Sequence, residues 1–241
     1  MRFVWIIAVS LLSACSNDDR APASPAKAAS ATAATDVSKI APRQPTEMEK
    51  RESEEIAKSE NLVERRGKVL SLHLQSGKAI ELASSEACED YESCRSYTYR
   101  GLIADKQFYW VLVGYYEGGE SLLISRNTGE QVDTIRDPHV SPDGKFIVSA
   151  SDAEAYEDPG VFLWEIVDGA LVSRVHFIPE DYQLFNFTRW VDANNVELVK
   201  TARPPKGECP EGKLAHYSMT LVKENGKWIL RAAAGKGECF Q

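Results

Sequence analysis

Outside Phe3–Leu12 the chain has no apolar run suited to a membrane helix, and even that run is too short to span a bilayer permanently. Hydrophobic residues make up 43% of 241, which suits a globular chain and excludes a polytopic membrane protein. Histidine is scarce. The four present, His73, His139, His176 and His216, fall in no metal or catalytic spacing. Neither H-E-x-x-H, nor G-x-S-x-G, nor a P-loop occurs. The D-x-[DN]-x-[DN]-G calcium loop is also missing, so no metal and no cofactor is assigned. Positive charge is in deficit: 28 Lys and Arg against 36 Asp and Glu leave a net charge of -8. That excludes a nucleic-acid surface, which must neutralise phosphates, and is compatible with a basic protein partner.

Cysteine is sparse too, and its five positions divide as one plus four. Cys15 closes Leu12-Ser13-Ala14-Cys15, preceded by Arg2 and the apolar core Phe3–Leu12. This N-terminus resembles a bacterial lipoprotein signal peptide over residues 1–14, and the resemblance implies lipidation of the Cys15 thiol. Ser16, rather than Asp, follows Cys15, the pattern of outer-membrane sorting. The implied address is the cell envelope, lipid-anchored at the outer membrane and facing the periplasm. Cys88, Cys94, Cys209 and Cys239 then sit in an oxidising compartment, where disulfides form. Four cysteines allow three connectivities. Cys88–Cys94 and Cys209–Cys239 are favoured, and the spacings match no zinc finger.

Residues 15–45 are Ala-, Ser- and Pro-rich, with almost nothing large and apolar to bury, so a disordered tether is expected. As a flexible coil it would span about 30 Å. Thr46-Glu47-Met48-Glu49 reads as a capping box, and a polar helix is expected over 46–66, with Gly67 as its stop. A helix this polar suits a solvated spacer.

Residues 67–241 carry a repeat. Four apolar segments turn at glycine: Val69–Leu74 at Ser76-Gly77, Leu122–Arg126 at Asn127-Thr128-Gly129, Val161–Ile166 at Asp168-Gly169, and Met219–Val222 at Asn225-Gly226. Ahead of three of them lies a second hairpin with Asp in its turn, at Asp105, Asp143 and Asp192. The expectation is all-β: three four-stranded antiparallel units plus half a unit, preceded by the helix. The last unit is lengthened by an insertion, Pro204–Lys213.

His139-Val140-Ser141-Pro142-Asp143-Gly144-Lys145-Phe146-Ile147-Val148, followed by Val161-Phe162-Leu163-Trp164, resembles one blade of the TolB/WD40-like β-propeller repeats over about residues 139–178. The resemblance implies a propeller-like architecture and says nothing of function. A closed propeller needs about four blades, so three and a half leave irregular closure, an open stack or a sandwich as alternatives.

Equivalent loops of a repeat emerge on one face. Glu117 and Glu120 in one loop, and Asp152, Glu154, Glu157 and Asp158 in the next, therefore build one acidic surface, with Tyr156 as an aromatic anchor. A solvated acidic rim and a docking surface for a basic protein are the two readings of it. No catalytic residue is assigned. The function expected is an outer-membrane-anchored periplasmic lipoprotein that binds another protein. Its concrete form is an inhibitor or immunity protein against a basic secreted cell-wall hydrolase. The alternative is an envelope-assembly or structural scaffold, and a hydrolase with an unrecognised site stands third.

Overall fold

The computed structural model describes residues 44–85, 93–152, 159–233 and 235–240. Cys15, the signal segment 1–14 and nearly all of the 15–45 tether lie outside them. Among the described residues, sixteen strands form four antiparallel sheets, preceded by one helix. Helix α1 (Glu47–Lys58) starts as its sequence dictates: the Thr46 hydroxyl accepts from the Glu49 N–H, and the Glu49 carboxylate accepts from the Thr46 N–H.

The helix ends earlier than the expected 66. Ser59 caps it, and Glu60 and Asn61 take left-handed φ of 56° and 67°, which no α-helix continues through. The chain then enters strand β1 (Val63–Arg66), which sequence reading had assigned to the helix. The helix is also more than a spacer. Arg65 of β1 donates to the Glu52 carboxylate and to the Tyr97 carbonyl, and the Tyr99 N–H donates to Glu52 at 2.7 Å. Glu52 thus staples α1 to two sheets.

The first sheet is β1, β2 (Val69–His73) and β3 (Ala79–Ala83). The second is β4 (Ser96–Ile103), β5 (Phe108–Gly114), β6 (Gly119–Ser125) and β7 (Gln131–Asp133). The third is β8 (His139–Val140), β9 (Phe146–Ser151), β10 (Gly160–Val167) and β11 (Ala170–Phe177). The fourth is β12 (Gln183–Asp192), β13 (Asn195–Ala202), β14 (Leu214–Glu224) and β15 (Lys227–Ala232), with β16 (Glu238–Phe240) beside β15 on the same edge of β14.

All four glycine hairpins and all three Asp-turn hairpins occur where the sequence places them. At Asp168-Gly169 and Asn225-Gly226 both residues have positive φ, as a two-residue hairpin turn requires. The Ser-Pro-Asp-Gly turn has its own chemistry. The Ser141 hydroxyl, 4% exposed, accepts from the Lys145 and Phe146 N–H groups and donates to Asp143 at 2.7 Å. Desolvation raises the Asp143 carboxyl, but hydrogen bonds from the Ser141 hydroxyl and the Lys145 N–H, with the Lys145 ammonium 3.6 Å away, outweigh it and hold the group below its usual range.

The sheets stack face to face in chain order. Val63, Leu70, Leu72 and Leu82 pack on Tyr99, Tyr109, Val111 and Ile124, joining the first sheet to the second. Phe108 and Leu123, on the second sheet's other face, meet Ile147 of the third. Val148, Val161 and Leu163 pack on Phe185, Val196, Leu198 and Leu221 of the fourth. Between the second and third sheets runs a buried, satisfied polar ladder: Trp110 Nε1 donates to Ser121, Thr134 to the Ser121 carbonyl, and Ser149 to the Thr134 carbonyl.

Among the described residues no buried cluster joins the fourth sheet to the first. Their outward faces explain this. The first presents Glu64, Arg66, His73 and Glu81 around Val69, Ala79 and Ala83; the fourth presents Glu197, Ser218, Thr220 and Arg231 around Val199, Val222 and Ile229, so both are mixed faces rich in charge. Polar outer faces are what the terminal units of a stacked repeat need. Among the described residues the arrangement is an open stack of blade-like sheets.

Candidate binding face

Strand direction alternates within each sheet, so the stack has two unlike ends. One end carries short turns, and those of the first three sheets are tied across sheets. The Gln75 N–H donates to the Arg126 carbonyl at 2.8 Å, Ser125 Oγ to the Gly169 carbonyl at 2.6 Å, and Asn127 to the Asp168 carbonyl at 3.2 Å.

The other end gathers the long connections, β9 to β10 and β13 to β14, and the links between sheets, together with the short β5–β6 turn. Irregular segments on a rigid scaffold are where binding residues concentrate. The exposed apolar side chains there are Tyr116 (60%), Ile178 (41%) and Tyr182 (40%). Cys209 and Cys239 form the expected disulfide at this end. Cys94 is also disulfide-bonded, while Cys88, its expected partner, lies outside the described residues.

The acidic residues read from the sequence are only partly brought together. Glu117 is exposed at the tip of the β5–β6 turn, beside Tyr116. That turn closes tightly: the Tyr115 N–H donates to the Gly118 carbonyl at 3.2 Å, and any side chain at Gly119 would sit 2.8 Å from the Val113 carbonyl oxygen. Glu120 faces inward instead of outward. It accepts a short hydrogen bond from the Tyr115 hydroxyl, and Arg95 lies 5.9 Å over the Tyr115 ring. Burial pushes the Glu120 carboxyl above its ordinary range; the Tyr115 bond opposes this, and Asp133 reinforces it. Burial raises Asp133 as well. Glu120 is therefore a strut of the hairpin.

Asp152 is exposed at the end of β9, 3.6 Å from Arg136 Nε. Both line a shallow cleft with Asp137, His139, Asn186 and Phe187. His139 stacks on Phe187 at 3.7 Å and 10°, its carbonyl accepting from Trp190 Nε1 at 3.0 Å, and burial lowers its pKa. Glu154, Tyr156, Glu157 and Asp158 lie outside the described residues. The remaining histidines have local partners: His73 sits 3.8 Å from Glu64, His176 meets the Phe162 ring edge-on, and His216 stacks on Phe240 at 3.9 Å. Among the described residues no group of three or more His, Cys, Asp or Glu could hold a metal ion.

Sequence reasoning missed a larger feature of this face. At the same end lies a cleft of about 1110 Å³ lined by Tyr182, Arg203, Pro204, Lys206, Pro210 and Lys213, among others. The signal was present in Arg203-Pro204-Pro205-Lys206, yet Glu208 and Glu211 dilute it when charge is counted along the chain.

No family model matches the chain, and no curated protein matches it. Among solved structures it is similar to hydrazine synthase of Kuenenia stuttgartiensis, at 15% identity and a TM-score of 0.34, over 68% of this chain and 47% of that one. It is also similar to TolB from Acinetobacter baumannii, at 14% identity and a TM-score of 0.30, over 70% of this chain and 38% of that one. The chain thus spans less than half the length of each. The architecture rests on the strand order given above.

Proposed function

We propose that this chain is an outer-membrane-anchored lipoprotein of the cell envelope, tethered through Cys15, whose sheet stack binds another protein through its long-loop end. The observation that carries the reading is the asymmetry between the ends. Tyr116, Ile178 and Tyr182 stand exposed at the same end as Glu117, Asp152 and a basic cleft whose loop is pinned by Cys209–Cys239, while the opposite end is reduced to short turns. Large aromatic anchors in a charged surround are the composition of a protein interface. In its concrete form the partner is a basic secreted cell-wall hydrolase that this protein inhibits.

The test is a pull-down with the purified chain from envelope and secreted fractions of the source organism. One stoichiometric secreted hydrolase with its activity suppressed supports the inhibitor reading. Resident envelope proteins alone move the reading to an assembly scaffold. Recovery unchanged by Tyr116→Ala combined with Glu117→Lys removes that turn from the interface. The anchor is tested separately: Cys15→Ser should release the protein from membranes.

A further inference from the structure

The basic cleft runs against the charge of the whole chain. The net charge is -8, yet three cations stand around one concavity. Arg203, Lys206 and Lys213 line it, and among the described residues none of the three forms an ion pair. The one lining carboxylate is Glu211. Glu208, in the same loop, is engaged elsewhere: it accepts from the Gly237 N–H at 2.5 Å and from the Tyr217 hydroxyl at 3.4 Å.

The cleft is also held open. Cys209–Cys239 ties the loop to β16, which pairs with β14 through Ala215–Cys239 and its neighbours. Pro204, Pro205 and Pro210 restrict the backbone between the cations. A rigid loop that keeps cations apart from acidic partners has met its ordering cost before any ligand arrives.

From these features we infer that the cleft is a recognition site for an acidic protein segment bound in extended form. Size and shape select that ligand. About 1110 Å³ far exceeds one phosphate group. Tyr182 and the prolines supply apolar walls for side-chain stems, while the cations pair with successive carboxylates. The site is independent of the acidic loops, since it lies on the fourth sheet and takes the opposite charge. A partner could engage both at once, but the inference stands whether or not the partner is a hydrolase.

The test measures binding of a fluorescent oligoglutamate peptide to the purified chain by anisotropy, with oligoglutamine, tripolyphosphate and anionic phospholipid vesicles as the other ligands. Saturable oligoglutamate binding is expected, falling steeply with salt as screening shortens. Reversal by Arg203→Glu, Lys206→Glu and Lys213→Glu together should weaken it about tenfold or more, and the corresponding Gln variants should weaken it less. Reducing Cys209–Cys239 should also weaken it, with the sheet circular dichroism unchanged. Failure of oligoglutamate to bind overturns the inference, as does affinity indifferent to the triple reversal in a folded variant. Tighter binding of vesicles or tripolyphosphate than of the peptide overturns the assignment to a protein segment. None of these results bears on the hydrolase pull-down, so the two proposals fail separately.

Discussion

Leu198→Ala and Thr220→Lys alter neighbouring strands of the fourth sheet on opposite faces, and the open stack requires them to behave differently. Leu198, 1% exposed, belongs to the cluster between the third and fourth sheets. Truncation removes three carbons, about 2.4 kcal/mol at ~0.8 kcal/mol each, and the cavity left behind brings the loss to about 3 kcal/mol. For a chain of this size that lowers Tm by roughly 6–12 °C. Thr220 pairs with Glu197 on one side and Arg231 on the other, so a new ammonium meets one attraction and one repulsion. On a solvated face the net effect stays within about 0.5 kcal/mol. Thermal and urea denaturation of both variants decide the matter. If the ring closed through this face, Thr220→Lys would bury an unpaired charge at a cost of several kcal/mol. A loss above about 2 kcal/mol for Thr220→Lys would therefore refute the open stack.

Three further outcomes follow from the geometry. Ser141→Ala strips the acceptor from two turn N–H groups and should cost about 1–3 kcal/mol in denaturant titration, although Lys145 N–H keeps its 3.2 Å bond to Asp143. Replacing Cys209 and Cys239 by Ser opens a loop of sequence separation 30 and should cost about 3–4 kcal/mol, read as a lower Tm under non-reducing conditions. Glu120 should titrate above its ordinary 4.5, since burial favours its protonated form. A raised native pKa means the folded state holds more protons, so this group's contribution is present below the ordinary value. It is lost as pH rises from there through the native pKa. Carboxyl chemical shifts report the titration, and Glu120→Gln should flatten the pH dependence of Tm over that window.

How much of this was legible depends on where each signal lives. Hairpins announce themselves locally: Asp168-Gly169 and Asn225-Gly226 carry the positive φ that their turns need, and apolar strands flank them. Strand β1 did not, because its inward-facing residues are Val63 and Arg65. An arginine breaks the alternation that marks a half-buried strand, and only the folded chain shows Glu52 neutralising it. The helix stop was misplaced because Glu60 and Asn61 adopt left-handed backbone without a glycine. At the candidate site, repeat equivalence placed Glu117 and Asp152 at one end. It could not show that Glu120 turns back onto Tyr115, since that depends on the tight geometry at Gly118 and Gly119. The basic cleft was overlooked because Glu208 and Glu211 lie between its cations in the sequence, and only the folded chain shows Glu208 turned away onto Gly237 and Tyr217.

The division between the two ends has a mechanical origin. At the turn end, carbonyls of the third sheet accept from side chains of the second, so changing the length of one turn would disturb its neighbour. The 203–213 segment is under no such constraint. Asn195–Ala202 pairs with Ala215–Val222 in unbroken register on either side of it, so residues inserted there leave the ladder intact. The disulfide to Cys239 then restores to the insertion the rigidity that its length would otherwise cost. Specificity can be built on such a face by sign pattern, since a partner matched to the acidic turns and to the basic cleft together meets repulsion if it docks rotated. The scaffold supplies a fixed spacing between opposite charges, and that spacing, more than any single residue, is what a partner would read.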